Sequence, residues 1–208
     1  MRSNFGLVAT GHETDHEAQA LRNLIVESRR FCTEFLAGAE PRWLILTGGS
    51  GVGKTHVGRW IADLMSKNAA RVYGAHYRDN DLEASLFSHV QPSGYFCKWE
   101  TLMDLARDGD YGPLKRTAVC WAKVIDDIGA YGFEERSGVL KPTAFTINQL
   151  GKLSDRRLGK WTVFTTNFSR SQIGEIFDQR IASRWMRGGN VTVDLAGVRD
   201  YGLRKAVK

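Results

Sequence analysis

Apolar residues recur along the chain in two periods, one typical of helices and one typical of buried strands. Leu21, Leu24 and Phe31 lie at helical spacing and follow residues 14–17, which have the form of a capping box. We predict a long helix that begins there and ends at Gly38. A helix with one apolar stripe either covers a sheet or binds a partner, and the pattern alone allows both.

Five apolar runs of strand length alternate with helical patterns. The predicted strands are residues 43–47, 94–99, 122–125, 161–166 and 190–195, and the predicted helices between them include one after residue 54, one from 99, a short one at 81–89 and one over 143–157. Such alternation predicts an α/β three-layer sandwich with a mostly parallel five-stranded sheet. In such sheets, ligands bind at the carboxyl ends of the strands.

The first predicted strand leads directly into a glycine-rich motif of the form G-x-x-x-x-G-K-[ST]. Its residues are Gly48, Gly49, Ser50, Gly51, Val52, Gly53, Lys54 and Thr55. The glycines bring backbone N–H groups close to phosphates, and the N-terminus of the following helix adds partial positive charge. Lys54 would reach the β- and γ-phosphates, and the Thr55 hydroxyl would coordinate Mg²⁺. The order of strand, loop and helix predicts a nucleoside triphosphate site rather than a ligand-free turn.

Polar side chains end the third and fourth predicted strands. Asp126 and Asp127 follow an apolar run; Asp126 would hold Mg²⁺, and Asp127 would polarise an attacking water. Taken alone they fit a plain turn, but bound Mg²⁺ requires an acidic partner, which favours the functional interpretation. Asn167 would hydrogen-bond the γ-phosphate or the attacking water, or it merely turns the chain and caps the next helix.

Positive charge is concentrated in the last third of the chain. The net charge is +6, and the segment 151–208 holds 12 Lys or Arg against 5 Asp or Glu. Such an excess fits a solvated face, a nucleic-acid surface or arginines aimed at phosphates. Arg180, Arg184 and Arg187 would share one surface of a predicted helix. Either solvent screens them, or the ATP phosphates of a neighbouring subunit lie nearby.

In combination, these motifs resemble those of the AAA+ ATPases, and within them the DnaC-like replicative-helicase loaders with their IstB-like transposition-helper relatives. The resemblance spans about residues 16–195. It implies ATP and Mg²⁺ as cofactors, and copies of the chain arranged in a ring or spiral with ATP between subunits. The implied roles are Walker A for residues 48–55, Walker B for Asp126 and Asp127, sensor 1 for Asn167, and arginine finger for Arg184 with Arg180 as the second candidate.

The resemblance also implies partners and a domain plan. The partners would be a replicative helicase and single-stranded DNA, and Tyr131, Phe133 and Lys115-Arg116 would either line a DNA channel or serve packing and solvated loops. We expect an N-terminal segment with the long helix at 1–40 and an AAA+ core at 41–208 without a C-terminal helical lid. By position, Arg204 is a sensor-2 candidate.

Two other functions remain open at the level of sequence. An IstB-like helper would act on duplex DNA, and a small-molecule kinase would use the same phosphate loop but leave Asn167 unexplained. A GTPase is disfavoured because the guanine-reading N-K-x-D sequence is absent. With no apolar stretch of bilayer length and no signal peptide, we expect a cytoplasmic location. The three cysteines, Cys32, Cys97 and Cys120, are predicted to be reduced thiols.

Overall fold

The computed structural model describes residues 14–76, 95–129, 131–136 and 139–201. The strands are β1 (Trp43–Thr47), β2 (Phe96–Lys98), β3 (Ala122–Ile128), β4 (Phe133–Arg136), β5 (Val139–Pro142), β6 (Trp161–Thr166) and β7 (Val191–Asp194). The helices are α1 (Asp15–Leu36), α2 (Lys54–His76), α3 (Trp99–Arg107), α4 (Gly112–Val119), α5 (Ala144–Arg157), α6 (Arg170–Ile176) and α7 (Gln179–Trp185).

Five strands form one sheet in the order β2-β3-β6-β1-β7, and β4 pairs with β5 in a separate antiparallel hairpin. Every neighbouring pair in the five-stranded sheet is parallel. Parallel neighbours need a crossover connection, usually a helix, and the helices between these strands provide it. The predicted α/β fold with a mostly parallel sheet is confirmed.

The sheet is buried on both faces, which gives three layers. Along β1, Leu44 and Leu46 belong to the core that includes α1 and α2, whereas Trp43 and Ile45 belong to the core that includes α3, α4 and α5. This alternation follows from the two-residue period of a strand. Because both faces are covered, β1 is apolar at nearly every position, as its sequence indicated.

Helix α1 begins and packs as the sequence predicts. Thr14 is its N-cap, the Glu17 amide donates to the Thr14 hydroxyl at 3.3 Å, and the Thr14 amide donates to the Glu17 carboxylate at 2.9 Å. Leu24, Phe31 and Phe35 lie on the side of the helix that faces the sheet, and they are fully buried there. The stripe therefore covers the sheet.

A buried guanidinium fixes the second helical layer. Arg157, at the end of α5, is fully buried and donates to the Thr162 hydroxyl at 3.0 Å and to carbonyl oxygens of Thr117 and Cys120 at the end of α4. Burial lowers the pKa of Arg157 to about 10. Since the carbonyls that end α4 lack intrahelical donors, the side chain supplies them and holds the ends of the two helices together.

Several element bounds differ from the predictions. Strand β2 is short because Trp99 already begins α3, β3 continues through the two aspartates to Ile128, and α7 ends at Trp185, so Arg187 is not on the helix. Helix α4 and the β4–β5 hairpin were not predicted. The expected helix at 81–89 and Arg204 lie outside the described residues. All three cysteines are free thiols, as predicted.

Candidate functional site

Strand order brings the predicted site residues to one edge of the sheet. Strand β6 lies between β3 and β1, so the carboxyl ends of these three strands are neighbours. They carry Asp126 and Asp127 in β3, Asn167 after β6 and the phosphate-loop motif after β1. Residues more than 100 positions apart in sequence therefore meet at the edge where parallel α/β sheets bind ligands.

Two glycines of the loop have positive φ angles and close neighbours. Gly48 has φ of 124°, and a Cβ there would lie 2.7 Å from the carbonyl carbon of Leu195. Gly51 has φ of 69°, and a Cβ there would collide with the Asp200 carboxylate. The Tyr201 amide also donates to the Gly51 carbonyl at 3.0 Å. The segment after β7, which contains Leu195, Asp200 and Tyr201, thus packs against the phosphate loop and supports it.

Lys54 is buried, and its ammonium group donates hydrogen bonds to three acceptors of the site. Its Nζ donates to the carbonyls of Gly48 at 2.7 Å and Gly49 at 2.6 Å, and to Asn167 Oδ1 at 3.0 Å. Burial lowers the pKa of Lys54 below its ordinary value, and the carboxylates of Asp127 and Asp126 oppose that shift. An anion entering the loop would replace the two carbonyls as the partner of this charge.

Thr55 and Asp126 form an oxygen cluster that fits Mg²⁺. The Thr55 hydroxyl lies 3.1 Å from both Asp126 carboxylate oxygens, and the Thr165 hydroxyl donates to Asp126 Oδ1 at 2.7 Å. Asp126 is only 1% exposed, and the side chains bonded to it are neutral hydroxyls. A buried carboxylate beside hydroxyl oxygens is the donor set that Mg²⁺ takes, with water and substrate phosphates completing the octahedron.

Asp127 occupies a backbone conformation uncommon for any residue except glycine. Its φ is 62°, and the register of β3 against β6 shifts between Ile125 and Ile128, as at a β-bulge. The Asp127 amide donates to the Thr165 hydroxyl at 2.8 Å, and its carboxylate accepts from Asn167 Nδ2 at 3.2 Å. The bulge turns Asp126 toward Thr55 and leaves Asp127 beside Asn167, which separates the two carboxylates.

A cleft of about 230 Å³ opens over these groups. It is lined by Ser50, Gly51, Gly53, Lys54, Thr55, His56, Asp127, Thr165 and Asn167. We refer to it as the phosphate-loop cleft. His56 and Thr165 were not predicted to belong to the site. Thr165 is part of a buried strand, and only the registration of β6 against β3 shows that its hydroxyl joins the two aspartates.

The candidate arginines lie on α7 and contact α5 rather than the cleft. Arg184 forms an ion pair with Asp155, and its NH1 group donates to the Arg180 carbonyl at 2.7 Å. The Arg180 guanidinium lies over Gly151. Neither side chain lines the phosphate-loop cleft of its own chain. The arginine-finger assignment, which needs a neighbouring copy, stays a prediction.

The residues considered for a DNA channel have mixed surroundings. Tyr131 accepts a hydrogen bond from Arg107 at 2.9 Å and donates to Asp104, and that carboxylate raises the pKa of the phenol. The ring of Phe133 packs 5.0 Å from that of Phe168. Both aromatic side chains thus have partners within the chain, while Lys115 and Arg116 on α4 are exposed. The DNA-channel assignment of these residues stays a prediction.

An ion pair fastens the segment behind the loop to α1. The buried carboxylate of Glu17 accepts from the Arg199 side chain at 2.8 and 2.9 Å and from the Arg199 amide at 3.0 Å. Together with the amide of Thr14, these donors hold the pKa of Glu17 far below its usual range. This Glu17–Arg199 pair thus connects the start of α1 to the residues that touch Gly48 and Gly51.

Within the described residues, no helix has the length and apolarity needed to cross a bilayer.

Comparison with known proteins supports the fold but names no family. No protein-family model and no curated protein matches the sequence. The AMPPCP-bound DnaA from Aquifex aeolicus is similar in structure, with a TM-score of 0.50 and 14% identity over 79% of this chain and 44% of that chain. Domain III of the Thermotoga maritima replication initiation protein DnaA gives 0.51 and 16% identity over 81% of this chain and 61% of that chain.

A DNA replication initiation factor is similar to the same degree, with a TM-score of 0.51 and 13% identity over 79% of this chain and 44% of that chain. This chain therefore spans about half the length of the solved structures that it matches. At these identities the likeness shows the fold alone, which is the α/β fold of these solved structures. The AAA+ assignment stays a prediction, and so does the DnaC-like or IstB-like assignment within it.

Proposed function

We propose that this chain binds and hydrolyses ATP with Mg²⁺, as an AAA+ accessory ATPase of DNA replication. The observation that carries the proposal is the meeting of Lys54, Thr55, Asp127 and Asn167 in one cleft at the carboxyl edge of the sheet. The buried carboxylate of Asp126 lies against Thr55 directly behind that cleft. Each of these residues has the side chain that a phosphate, a metal ion or an attacking water requires there. The fold shared with replication initiators supports the replication setting.

The phosphate-binding residues act by exchanging partners. Lys54 would release the carbonyls of Gly48 and Gly49 and donate instead to the β- and γ-phosphates of ATP. Thr55 and Asp126 would hold Mg²⁺, which supplies positive charge to offset that of the phosphates. Because these groups already converge on the loop, binding requires this exchange of hydrogen-bond partners rather than a rearrangement of the elements that carry them.

Asp127 and Asn167 would serve the hydrolytic step. An Asp127 carboxylate oxygen accepts a hydrogen bond from the attacking water and aims it at the γ-phosphorus. The Asn167 amide, which contacts both Lys54 and Asp127, would hold the γ-phosphate or that water in line. Its two contacts tie the position of the water-binding carboxylate to that of the phosphate-binding lysine.

We infer that further partners complete the function. A neighbouring copy would place Arg184, or Arg180 as the second candidate, against the γ-phosphate. A replicative helicase and single-stranded DNA would be the targets of a DnaC-like loader, and the basic segment 151–208 supports an anionic partner. Tighter binding to duplex than to a single strand of the same sequence would instead support the IstB-like helper.

The decisive experiment compares ATP binding and ATP turnover in Asp127→Asn. Asparagine tolerates the left-handed backbone of position 127, so the variant removes charge without straining the bulge. We expect ATP affinity by equilibrium dialysis with Mg²⁺ to stay within about threefold while turnover falls at least 10²-fold, the usual worth of a positioned base. Absence of ATP binding by the wild-type protein refutes the proposal. Consumption of ATP only with an added small-molecule acceptor identifies a kinase.

A further inference from the structure

A second cavity, of about 400 Å³, lies between α4 and α5, outside the phosphate-loop cleft. Its floor is apolar and includes Leu114 and Leu153, both buried in the second core. No residue lines both this cavity and the phosphate-loop cleft. We call it the α4/α5 groove. ATP bound at the phosphate loop does not account for it.

Positive charge surrounds the groove without compensation. Lys115 from α4 and Lys152 and Arg156 from α5 line it, and all three are exposed. Among the described residues, none of these side chains forms an ion pair, and none of the lining residues is acidic. Three cations along one groove create a positive potential that attracts an extended anion.

A side-chain amide faces the groove from its wall. Gln149 is 7% exposed and lines the groove, and within the described ranges no protein group hydrogen-bonds its side chain. The amide atoms reach the solvent of the groove, so they are available to a ligand. A side-chain amide offers both a donor and an acceptor, and it therefore fits a group that presents both, such as the edge of a nucleobase.

Aromatic rings stand at one end of the groove. Tyr111, which caps the start of α4, is 39% exposed, and Phe145 in the first turn of α5 is half-buried. Both line the cavity. Aromatic faces beside a basic track are the means by which proteins hold the bases of single strands. A purely apolar anchor, such as the side chain of a docking peptide, would fill the floor but leave Gln149 unpaired.

We propose that the α4/α5 groove binds a nucleotide unit of single-stranded DNA. The base stacks on Tyr111 and Phe145, its edge bonds Gln149, and the flanking phosphates lie along Lys115, Lys152 and Arg156. The inference rests on the proposed function for its setting, since it names where that ATPase contacts a strand. It places the strand away from Tyr131 and Phe133, whose side chains have partners within the chain.

The charge test uses the double variant Lys115→Ala/Lys152→Ala, with Lys67→Ala as the matched control because Lys67 is exposed and paired with Asp63 on α2. Binding of a labelled oligothymidine is followed by anisotropy across a salt series. We expect the double variant to lose at least about tenfold in affinity and to lower the salt slope by about 1.4, as two phosphate contacts to a single strand imply. An unchanged salt slope overturns the proposal.

The stacking test compares Tyr111→Ala with Tyr111→Phe. Loss of one stacked base should weaken strand binding by about 5- to 100-fold in Tyr111→Ala, whereas Tyr111→Phe keeps the ring and should bind like wild type. Gln149→Leu, similar in shape but without the amide, should weaken binding, because the hydrogen bonds to the base edge are lost. Equal strand binding by all three variants overturns the proposal.

Two further measurements distinguish a single strand from a free nucleotide as the ligand, and distinguish failure of the groove proposal from failure of the proposed function. If a free mononucleotide displaces the strand at equal molar concentration, the groove serves free nucleotides, and the single-strand proposal fails. A fluorescent ATP analogue is titrated into every variant, and its affinity should not change. Failure of the wild-type protein to bind a strand while it binds ATP overturns the groove alone. Strand binding that depends on the groove without ATP binding overturns the proposed function alone.

Discussion

The phosphate-loop cleft and the α4/α5 groove both contain lysine and amide side chains, but in the part of the chain that the structure describes these side chains are hydrogen-bonded within the protein only in the cleft. In the cleft, Lys54 has three acceptors and Asp126 two hydroxyl partners. In the groove, Lys115 and Gln149 have no partner among the described residues. Internal bonds hold the groups of the cleft close to the positions that the proposed chemistry requires, whereas unbonded groups can adapt to a long and variable ligand.

The largest expected effect comes from removing the cation of the cleft. Lys54→Met keeps much of the apolar length but loses all three hydrogen bonds, and we expect the dissociation constant for ATP to rise at least about 100-fold, since the charge-assisted contacts with the phosphates disappear. Isothermal titration calorimetry measures this. Strand binding without nucleotide should be unaffected, and Lys67→Met should match wild type in both. Normal ATP binding by Lys54→Met would exclude a phosphate role for the cleft.

A second prediction asks whether a neighbouring copy completes the cleft. Arg184→Ala should bind ATP normally but hydrolyse it about 10³-fold more slowly, as for an arginine acting in trans. Mixing it with Lys54→Met should restore part of the turnover, because mixed assemblies contain intact sites. Asp155→Asn frees Arg184 from its ion pair and should not reduce turnover. Equal losses in Arg184→Ala and Asp155→Asn would mean that the pair is structural.

A third and smaller effect tests whether internal bonds position the cleft. Thr165→Val removes the hydroxyl that joins Asp126 to the Asp127 amide, so we expect turnover to fall about tenfold and stability by about 1–3 kcal/mol, the usual cost of leaving buried polar groups unpaired. ATP affinity should change less than threefold, about 0.6 kcal/mol. Thr165→Ser keeps the hydroxyl and should retain both properties. Steady-state kinetics and urea unfolding report the two quantities.

The smallest effect concerns the support behind the cleft. The Arg199 side chain holds the pKa of Glu17 below its ordinary value of 4.5, so the pair stabilises the fold above that pH and loses its contribution as acid protonates Glu17. Glu17→Gln should lower the melting temperature at pH 7, and the difference from wild type should shrink below pH 4.5. Glu175→Gln, on an exposed part of α6, should cause no change. A difference independent of pH would contradict the assigned role of the ion pair.

Local signals predicted most of the sheet and its covering helices. The apolar run of β1 and the capping box of α1 are strong sequence signals, because each depends only on residues that are close together in the chain. Helix α4 was missed because it begins with Gly112-Pro113, which is a turn signal, although proline is well tolerated in a first helical turn. The burial of Arg157 was unpredictable, since its partners are carbonyls from two other elements.

The phosphate-loop cleft and the α4/α5 groove also differ in how far the sequence predicts them. The residues of the phosphate-loop motif are contiguous in sequence, and Asp126 and Asn167 lie at strand ends, so the cleft could be inferred from spacing and parallel topology. The roles of Thr165 and of the segment that supports Gly51 depend on strand register and on chain return, which no local pattern records. The α4/α5 groove is formed by the facing sides of two helices, and it could not be predicted because α4 itself was not predicted.

The Glu17–Arg199 pair joins positions 182 residues apart and lies near both ends of the described chain. Tension applied through Thr14 and Tyr201 would therefore load this pair, together with the hydrogen bond from the Tyr201 amide to the Gly51 carbonyl, before any strand of the sheet. Mechanical unfolding would begin with the rupture of these contacts, and the first segment to be pulled away would be the one lying against Gly48 and Gly51.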